Sequence, residues 1–178
     1  MKYIIYFFQI LLSDLFLVLR FLCGNKIEFS FISLVSPFST IKTRKGGIKM
    51  GKLTTIRANT EICANGGDIV LGRRCFVNKN CMIVAHEKIS IGDRTTIGPN
   101  VCIYDHDHNY NKDGSEAFIS KPITIGKNVW IGANCTILKG VCIADDVVIA
   151  AGSVVTKSIN MPKSLFYLKK NDFVITRE

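Results

Sequence analysis

Aliphatic side chains recur every sixth residue along most of the chain, and small or polar residues fill many of the positions between them. The leading residues of the most regular stretch are Ile125, Ile131, Ile137, Ile143, Ile149 and Val155. Earlier runs with the same spacing are led by Met50, Ile56 and Ile62, by Leu71, Val77 and Ile83, and by Ile91, Ile97 and Ile103. A period of six fits neither an isolated helix nor one long strand. It predicts a triangular coil with three short strands per turn, in which the leading residues stack inside and neighbouring turns cover one another.

Four similar segments mark the starts of successive turns: IKMG at 48, IVLG at 69, ISIG at 89 and ITIG at 123. The intervals between these starts are 21, 20 and 34 residues, so the last interval contains an insertion. The insertion includes YDHDHNYNKDG, residues 104–114, which holds two of the three histidines. We therefore predict a loop at about 104–121 that protrudes from an otherwise compact coil.

The first 24 residues follow a different pattern, because Lys2, Gln9, Ser13 and Arg20 would fall on one narrow stripe of a helix whose remaining surface is apolar. This pattern predicts a helix with most of its girth buried, either packed on its own protein or lying in a membrane surface. Ser13 and Asp14 interrupt the apolar run and no A-x-A cleavage signal follows, which disfavours a membrane span or a secretory signal. We divide the chain into a helix and basic lead-in at 1–47, the coil at 48–160 and a C-terminal cap at 161–178.

The net charge of +9 favours anionic partners such as phosphorylated cofactors. The basic stretch at 41–57 suits anionic lipid, an acidic glycan or a solvated rim, whereas nucleic acid is disfavoured because no aromatic interleaving accompanies the charge. Of the seven cysteines, Cys75, Cys81 and Cys135 occupy a position that requires a small inward-facing side chain. We interpret the cysteines as buried free thiols in a reducing compartment, and predict a cytoplasmic protein that either is free or lies at the inner face of the membrane.

The hexads and the placed loop resemble the hexapeptide-repeat acyltransferases over roughly 48–160, and the sugar O-acetyltransferase branch with galactoside and maltose acetyltransferases is the most similar. This resemblance implies an all-β fold: a left-handed parallel β-helix with an extruded catalytic loop, here preceded by an apolar helix. It also implies an enzyme that transfers an acetyl group from acetyl-CoA to a sugar hydroxyl, of a bacterial surface polysaccharide or its precursor. A homotrimer with sites between subunits follows from the same resemblance.

The resemblance matches His106, 24 residues before Trp130 of NVWIG, to the catalytic base of that branch. A hydroxyl is a poor nucleophile until its proton is removed, and histidine performs this step near neutral pH. Asp105 and Asp107 are both candidates to orient the ring, and the sequence does not choose between them. His108 is the alternative base.

The remaining site residues also follow from the resemblance. Those predicted to contact the cofactor are Ala133, Ala151, Thr156 and Lys157, and those predicted to contact the acceptor are Asn78, Trp130 and His108. Trp130 is expected to pack beside His106 and wall the site. Lys169 and Lys170 could replace the basic tail that is usual in the family, and His86 is interpreted as a surface residue.

Three alternatives remain beside this interpretation. A serine acetyltransferase would carry a long helical domain before the coils, for which about 47 residues are too few. A zinc-dependent carbonic anhydrase of the same fold needs three separated imidazoles, but two of the three histidines share one H-x-H segment, so no metal is expected. A non-catalytic scaffold or glycan-binding module stays open.

Overall fold

The computed structural model describes residues 2–110, 117–168 and 173–175. One helix, α1 (Lys2–Leu22), precedes a parallel coil of about six turns. Each turn runs through three faces in the order A, B, C, so the predicted triangular coil is confirmed. Part of the predicted loop, residues 111–116, and the two lysines at 169 and 170 lie outside the described residues.

Within the described residues each face is one sheet of stacked strands. Face A comprises β1 (Ile27–Glu28), β4 (Ile48–Met50), β7 (Asp68–Leu71), β10 (Lys88–Ile91), β15 (Ile123–Ile125) and β18 (Cys142–Ile143). Face B comprises β2 (Leu34–Val35), β5 (Thr55–Ile56), β8 (Phe76–Val77), β11 (Thr96–Ile97), β16 (Trp130–Ile131), β19 (Val148–Ile149), β21 (Leu165–Leu168) and β22 (Phe173–Ile175). Face C comprises β3 (Thr40–Arg44), β6 (Glu61–Asn65), β9 (Met82–Ala85), β12 (Cys102–Tyr104), β17 (Thr136–Ile137) and β20 (Val154–Val155).

The interior of the coil contains the hexad leaders, and every leader predicted from the sequence is buried. Strand register explains why, since Ile91 pairs with Ile125 and Ile97 pairs with Ile131 in the next turn. Identical periods therefore place one aliphatic column behind each face. Cys75, Cys81 and Cys135 are buried as predicted, and burial raises the pKa of the Cys75 thiol to about 11. The prediction of buried thiols is wrong for Cys23 and Cys142, which are exposed.

The corners of the coil need a backbone conformation that few side chains adopt. The fourth residue of many hexads has a positive φ, for example 59° at Asn80, 57° at Asn100 and 58° at Asn134, and asparagine tolerates this region better than most residues. These amides also form a ladder, with Asn80 Nδ2 3.2 Å from Asn100 Oδ1 and Asn100 Nδ2 3.0 Å from Asn134 Oδ1. The second hexad residue is often glycine because a Cβ at Gly92 would lie 2.6 Å from backbone atoms of the next turn.

The coil begins before the residue at which its sequence pattern is clear. Strands β1, β2 and β3 pair with β4, β5 and β6, so a complete turn precedes Ile48. Phe29, Val35 and Ile41 are six apart and continue the hexads, a signal that the sequence analysis did not use. Val35 and Ile41 are buried, and Phe29 packs against the same core.

The predicted loop leaves the corner between faces C and A. Its described part is an antiparallel hairpin of β13 (His106–His108) and β14 (Phe118–Ser120), with His106 opposite Ser120 and His108 opposite Phe118. The amide of Lys121 donates to the carbonyl of Asp105 at 2.8 Å, which closes the base of the hairpin on the coil.

Helix α1 packs on its own protein, which buries only one side of it. Ser13 and Leu17 are buried against the first turn, while the apolar side chains on the other side of the helix are exposed. Among the described residues, no helix is both long enough and apolar enough to span a bilayer.

Candidate active site

The base of the hairpin is organised by Asp105, whose side chain is fully buried. Its Oδ1 accepts a hydrogen bond from the backbone N–H of His86, and its Oδ2 accepts from those of Glu87 and Lys88, each at 2.8 Å. These three amides form the same corner one turn earlier, so the carboxylate locks the hairpin onto the coil. A buried carboxylate with several N–H donors is well satisfied.

The same carboxylate holds His106, whose Nδ1 lies 3.1 Å from Asp105 Oδ1. A carboxylate accepts hydrogen bonds, so the tautomer with its proton on Nδ1 can donate to Asp105 and present the Nε2 lone pair to a ligand. The His106 side chain is 14% exposed, which leaves it within reach of a ligand while most of the ring is fixed. This is the arrangement of a general base and its orienting acid.

A second imidazole packs on the first. The ring of His86 stacks on that of His106 with centroids 3.8 Å apart and an interplanar angle of 29°. Burial, and next the proximity of His106, lower the pKa of His86, against a smaller opposing effect of Asp105. A neutral His86 can accept at Nε2 from the Asn65 amide, which lies 3.1 Å away. The prediction that His86 is a surface residue is therefore wrong.

Phe118 completes this group from the opposite strand of the hairpin. Its ring centroid lies 4.4 Å from that of His86, 5.3 Å from that of His106 and 4.9 Å from that of His108. We call His86, Asp105, His106, His108 and Phe118 the corner cluster. His108 is the exposed member, since its ring packs on Phe118 at the outer side of the hairpin.

The two aspartates that the sequence left open have different partners. Asp105 contacts the His106 ring, whereas Asp107 forms an ion pair with Lys139, a residue of the same corner in the next turn. Asp107 therefore ties the hairpin to the coil from the side opposite to Asp105. The structure assigns the contact with the His106 ring to Asp105.

A second group of predicted residues lies in a groove of about 410 Å³ on face B. Its walls include Asn78, Trp130, Ala133 and Ala151, together with Gly98 and Pro99, and we call this the face B groove. Trp130 lies in register with Thr96 of the preceding turn and Val148 of the next, and its side chain is 57% exposed. Small residues on one side let a thin ligand approach the backbone, while the indole supplies an apolar wall.

One chain does not bring its own Trp130 beside His106, so the predicted packing of the indole on this ring is not made within a single copy. Trp130 belongs to face B, whereas His106 follows face C at the corner that leads to face A. The corner cluster and the face B groove therefore lie at different places on the triangular cross-section. A spacing of 24 residues does not report this, because His106 lies in the insertion, where the six-residue period that assigns a residue to a face is interrupted.

Thr156 and Lys157 do not line the face B groove with the other two residues predicted to contact the cofactor. They follow β20 at the corner between faces C and A, and both are exposed. Ile103, Ile137 and Val155 pair in successive turns, which puts Thr156 two turns further along the corner that carries His106. Ala133 and Ala151 belong instead to the groove.

The donor set of the described residues contains no cluster of three or more His, Cys, Asp or Glu side chains arranged to hold a metal ion. The three histidines are close together, but His86 and His106 stack face to face rather than pointing their nitrogens at one point. Three imidazoles converging on one ion are what a catalytic zinc site requires.

Known proteins with similar sequences share this kind of repeat. Residues 122–157 match the family model described as a hexapeptide repeat of succinyl-transferase. Galactoside O-acetyltransferase of Escherichia coli K12 is 44% identical over 98 residues, which is 53% of this chain and 47% of that protein. The chain is therefore similar to the galactoside O-acetyltransferases over about half of its length. The chain spans about half the length of the curated relatives it matches.

Solved structures agree with this relationship. A maltose O-acetyltransferase from Clostridium difficile 630 superposes with a TM-score of 0.54 at 29% identity, covering 79% of this chain and 70% of that one. A galactoside acetyltransferase in complex with coenzyme A superposes with a TM-score of 0.55 at 38% identity, covering 62% and 55% of the two chains.

Proposed function

We propose that the chain is an acetyl-CoA-dependent O-acetyltransferase that acts on a sugar hydroxyl, with His106 as the general base. The observation that supports this role most directly is the Asp105–His106 pair, in which Nδ1 is held at 3.1 Å from a buried carboxylate. The relatives support the reaction class, since they are named as O-acetyltransferases and one was solved with coenzyme A.

In this proposal the acceptor hydroxyl donates to Nε2 of His106. As the oxygen attacks the thioester carbonyl, its proton passes to Nε2, the O–C bond forms, and the C–S bond then breaks. The leaving thiolate of coenzyme A takes the proton from the imidazolium, so the base is regenerated. Asp105 favours this step because it stabilises the imidazolium and keeps the ring oriented.

We further propose that the working site lies between two copies in a homotrimer. The corner cluster of one copy meets the face B groove of the next, so that His106 and Trp130 come together across the interface. A head-to-tail contact between different faces of a three-sided prism closes into a ring when each copy is rotated by one third of a turn. The pantetheine arm then lies beside Ala133 and Ala151, and Asn78 contacts the acceptor.

The acceptor in this proposal is a sugar of a bacterial surface polysaccharide or its precursor. An amide such as that of Asn78 both donates and accepts hydrogen bonds, which suits neighbouring hydroxyls. Thr156 and Lys157 suit the phosphates of the cofactor, because a lysine is a point positive charge on a flexible stem.

A thiol-release assay with acetyl-CoA and a panel of sugars and glycans tests the reaction. We expect His106→Ala to bind acetyl-CoA by calorimetry as the parent does, but to lose about 10²–10⁴-fold in turnover. The matched control is His108→Ala, which should keep most of the turnover. The reverse result would make His108 the base, and turnover unchanged by both would remove a histidine base from the mechanism.

Mixing two inactive variants tests the shared site. If His106 and Trp130 act across an interface, randomly mixed trimers of His106→Ala and Trp130→Ala copies have about a quarter of their sites intact. Co-expression of the two tagged variants should therefore restore about a quarter of the parent turnover. No recovery in trimers shown to be mixed would contradict the interface.

A further inference from the structure

Helix α1 turns polar residues toward its own protein and a wide apolar side toward the outside, which is the reverse of an ordinary surface helix. In a soluble protein the apolar side of such a helix faces the core. Here Ser13, Leu17 and Arg20 face the first turn of the coil, and Leu17 is the fully buried apolar member of that contact. The wide apolar side therefore faces away from the protein.

The free edge of the first turn explains this orientation. The first strand on each face has no preceding strand to satisfy its outward backbone groups, and Ser13 Oγ donates to Ser33 O at 2.9 Å and accepts from Val35 N at 2.8 Å. Arg20 Nε donates to Ile41 O at 2.9 Å. Because these groups point along the coil axis, α1 lies across the open end of the coil, and its Ser13 and Arg20 side chains satisfy part of the edge.

The outward surface is large and apolar. Leu11, Leu15 and Leu19 are each between 51% and 55% exposed, and Phe7 and Phe8 are 62% and 57% exposed. Phe31 and Phe38 of the first turn are also exposed, at 66% and 77%. We call these residues the apolar end. A contiguous exposed patch of this kind marks an interaction surface with a partner or a membrane.

Positive charge surrounds the apolar end. Residues 1–60 contain nine lysines and arginines and two acidic residues, so they supply most of the net charge of the chain. Lys26, Lys52 and Arg57 are exposed on the turns next to the helix. The acidic Glu28 is neutralised by Lys49, whose Nζ lies 2.7 Å from its carboxylate.

We propose that the apolar end docks in the surface of a bilayer that contains anionic lipid, with α1 in the plane of the headgroups and the coil directed away from the membrane. Leu and Phe side chains enter the acyl boundary, and the basic rim contacts the lipid phosphates. Both features are those of an interfacial amphipathic helix. A second copy fits less well, because docking two apolar ends would bring two basic rims together.

Vesicle flotation of the full chain tests this docking. The probe is large vesicles of phosphatidylcholine alone or with about one third phosphatidylglycerol. We expect the bound fraction to rise at least tenfold with the anionic lipid and to fall again at about 0.5 M salt, where the Debye length becomes short. No binding to either vesicle would overturn the proposal.

Variants locate the contact. Leu11→Glu with Leu15→Glu should lower binding to anionic vesicles at least tenfold, while Lys52→Gln with Arg57→Gln should lower it by about fivefold for each charge near the surface. The control is Met161→Glu, a similarly exposed apolar residue of the C-terminal segment, which should bind as the parent does. Circular dichroism melts establish that each variant folds.

Light scattering tests whether a second copy of the chain, rather than a bilayer, covers the apolar end. The apolar end would be a protein interface if the parent associates beyond its basal oligomer in solution and the two leucine substitutions abolish this association. If the parent also fails to bind vesicles, the membrane proposal is wrong. Equal vesicle binding by the parent and by the leucine variant would also overturn it. Acetyl transfer is not a readout here, so failure of this proposal is distinct from failure of the proposed function.

Discussion

The corner cluster and the face B groove are built by different means from the same repeat. The corner cluster depends on side chains that hold one another: Asp105 accepts three backbone amides and the His106 ring, and His86 and Phe118 pack on that ring. The groove depends on the absence of side chains, since Ala133 and Ala151 leave backbone accessible beside Trp130. The difference indicates that the corner is suited to chemistry and the groove to binding.

The largest expected effect is at the buried carboxylate of the corner. Asp105→Ala leaves three backbone N–H groups unsatisfied in the interior, which should cost about 2–4 kcal/mol of folding free energy and remove the orienting group of His106. We expect turnover to fall at least as far as in His106→Ala. Thermal melts and steady-state kinetics measure the two effects separately.

Asp105→Asn is the matched control for that variant. An amide of the same shape can accept from part of the corner amides but carries no charge to stabilise an imidazolium. We expect a smaller loss of stability and still about a 10²–10⁴-fold loss of turnover. Near-parent turnover in Asp105→Asn would limit this carboxylate to a structural role.

A groove variant should break binding and leave the chemistry intact. Ala133→Leu fills space at the edge of the groove, so we expect the KM for acetyl-CoA to rise at least tenfold while turnover at saturation changes little. The corner variants, in contrast, should lower turnover at saturation. A fall of kcat with unchanged KM in Ala133→Leu would mean that the groove does not hold the donor.

Replacing His86, the stacked imidazole, should change the pH dependence of stability more than the maximal rate of transfer. Burial and His106 lower the pKa of His86, so the ring is neutral in the folded protein at neutral pH. For a histidine with a lowered pKa, the contribution to stability is present above its unfolded pKa and is lost as the pH falls below it. We expect the acid-side loss of stability, measured by melts between about pH 7 and pH 5, to be smaller in His86→Gln.

The same substitution removes half of the ring stack that positions His106. Turnover of His86→Gln should therefore fall by about tenfold, with the KM for acetyl-CoA unchanged. If the pH dependence of stability and the turnover are both unchanged in His86→Gln, His86 only fills space.

The smallest effect is expected at the outer tie of the hairpin. The Asp107 and Lys139 side chains are 44% and 27% exposed, so their ion pair is worth at most about 1 kcal/mol in water. Lys139→Gln should lower turnover less than threefold in the steady-state assay. A loss as large as that of Asp105→Ala would mean that Asp107, rather than Asp105, orients the catalytic ring.

Much of the coil was predictable because its signal is local and repeated. Every predicted leader is buried, and the three cysteines at the small inward position are buried as well. The first turn was missed although Phe29, Val35 and Ile41 keep the six-residue spacing, because IEFS at 27 lacks the glycine of the segments that mark the later turns. The loop was predicted because an insertion in a strict period is visible without any structure.

The contacts of the candidate site were less predictable. Stacking of His86 on His106 joins residues 20 apart that only the pairing of successive turns brings together. Phe118 lies on the return strand of the hairpin, and nothing in its neighbours along the chain marks it as a partner of three histidines. The sequence identified His106 through its resemblance to a family, and left its orienting carboxylate undecided.

By itself, the sequence determined that this chain winds into a three-faced coil and extrudes a histidine-bearing loop, because a six-residue period admits few other ways to bury its aliphatic positions. Tertiary structure alone decided that Asp105 rather than Asp107 reaches the His106 ring, that Trp130 lies on another face, and that α1 turns its apolar side outward. The Asp105 contact and the orientation of α1 depend on which backbone groups remain unsatisfied at a corner or an open edge, and that is set by neighbouring turns rather than by neighbouring residues. The separation of Trp130 from His106 depends on where the hairpin leaves the coil.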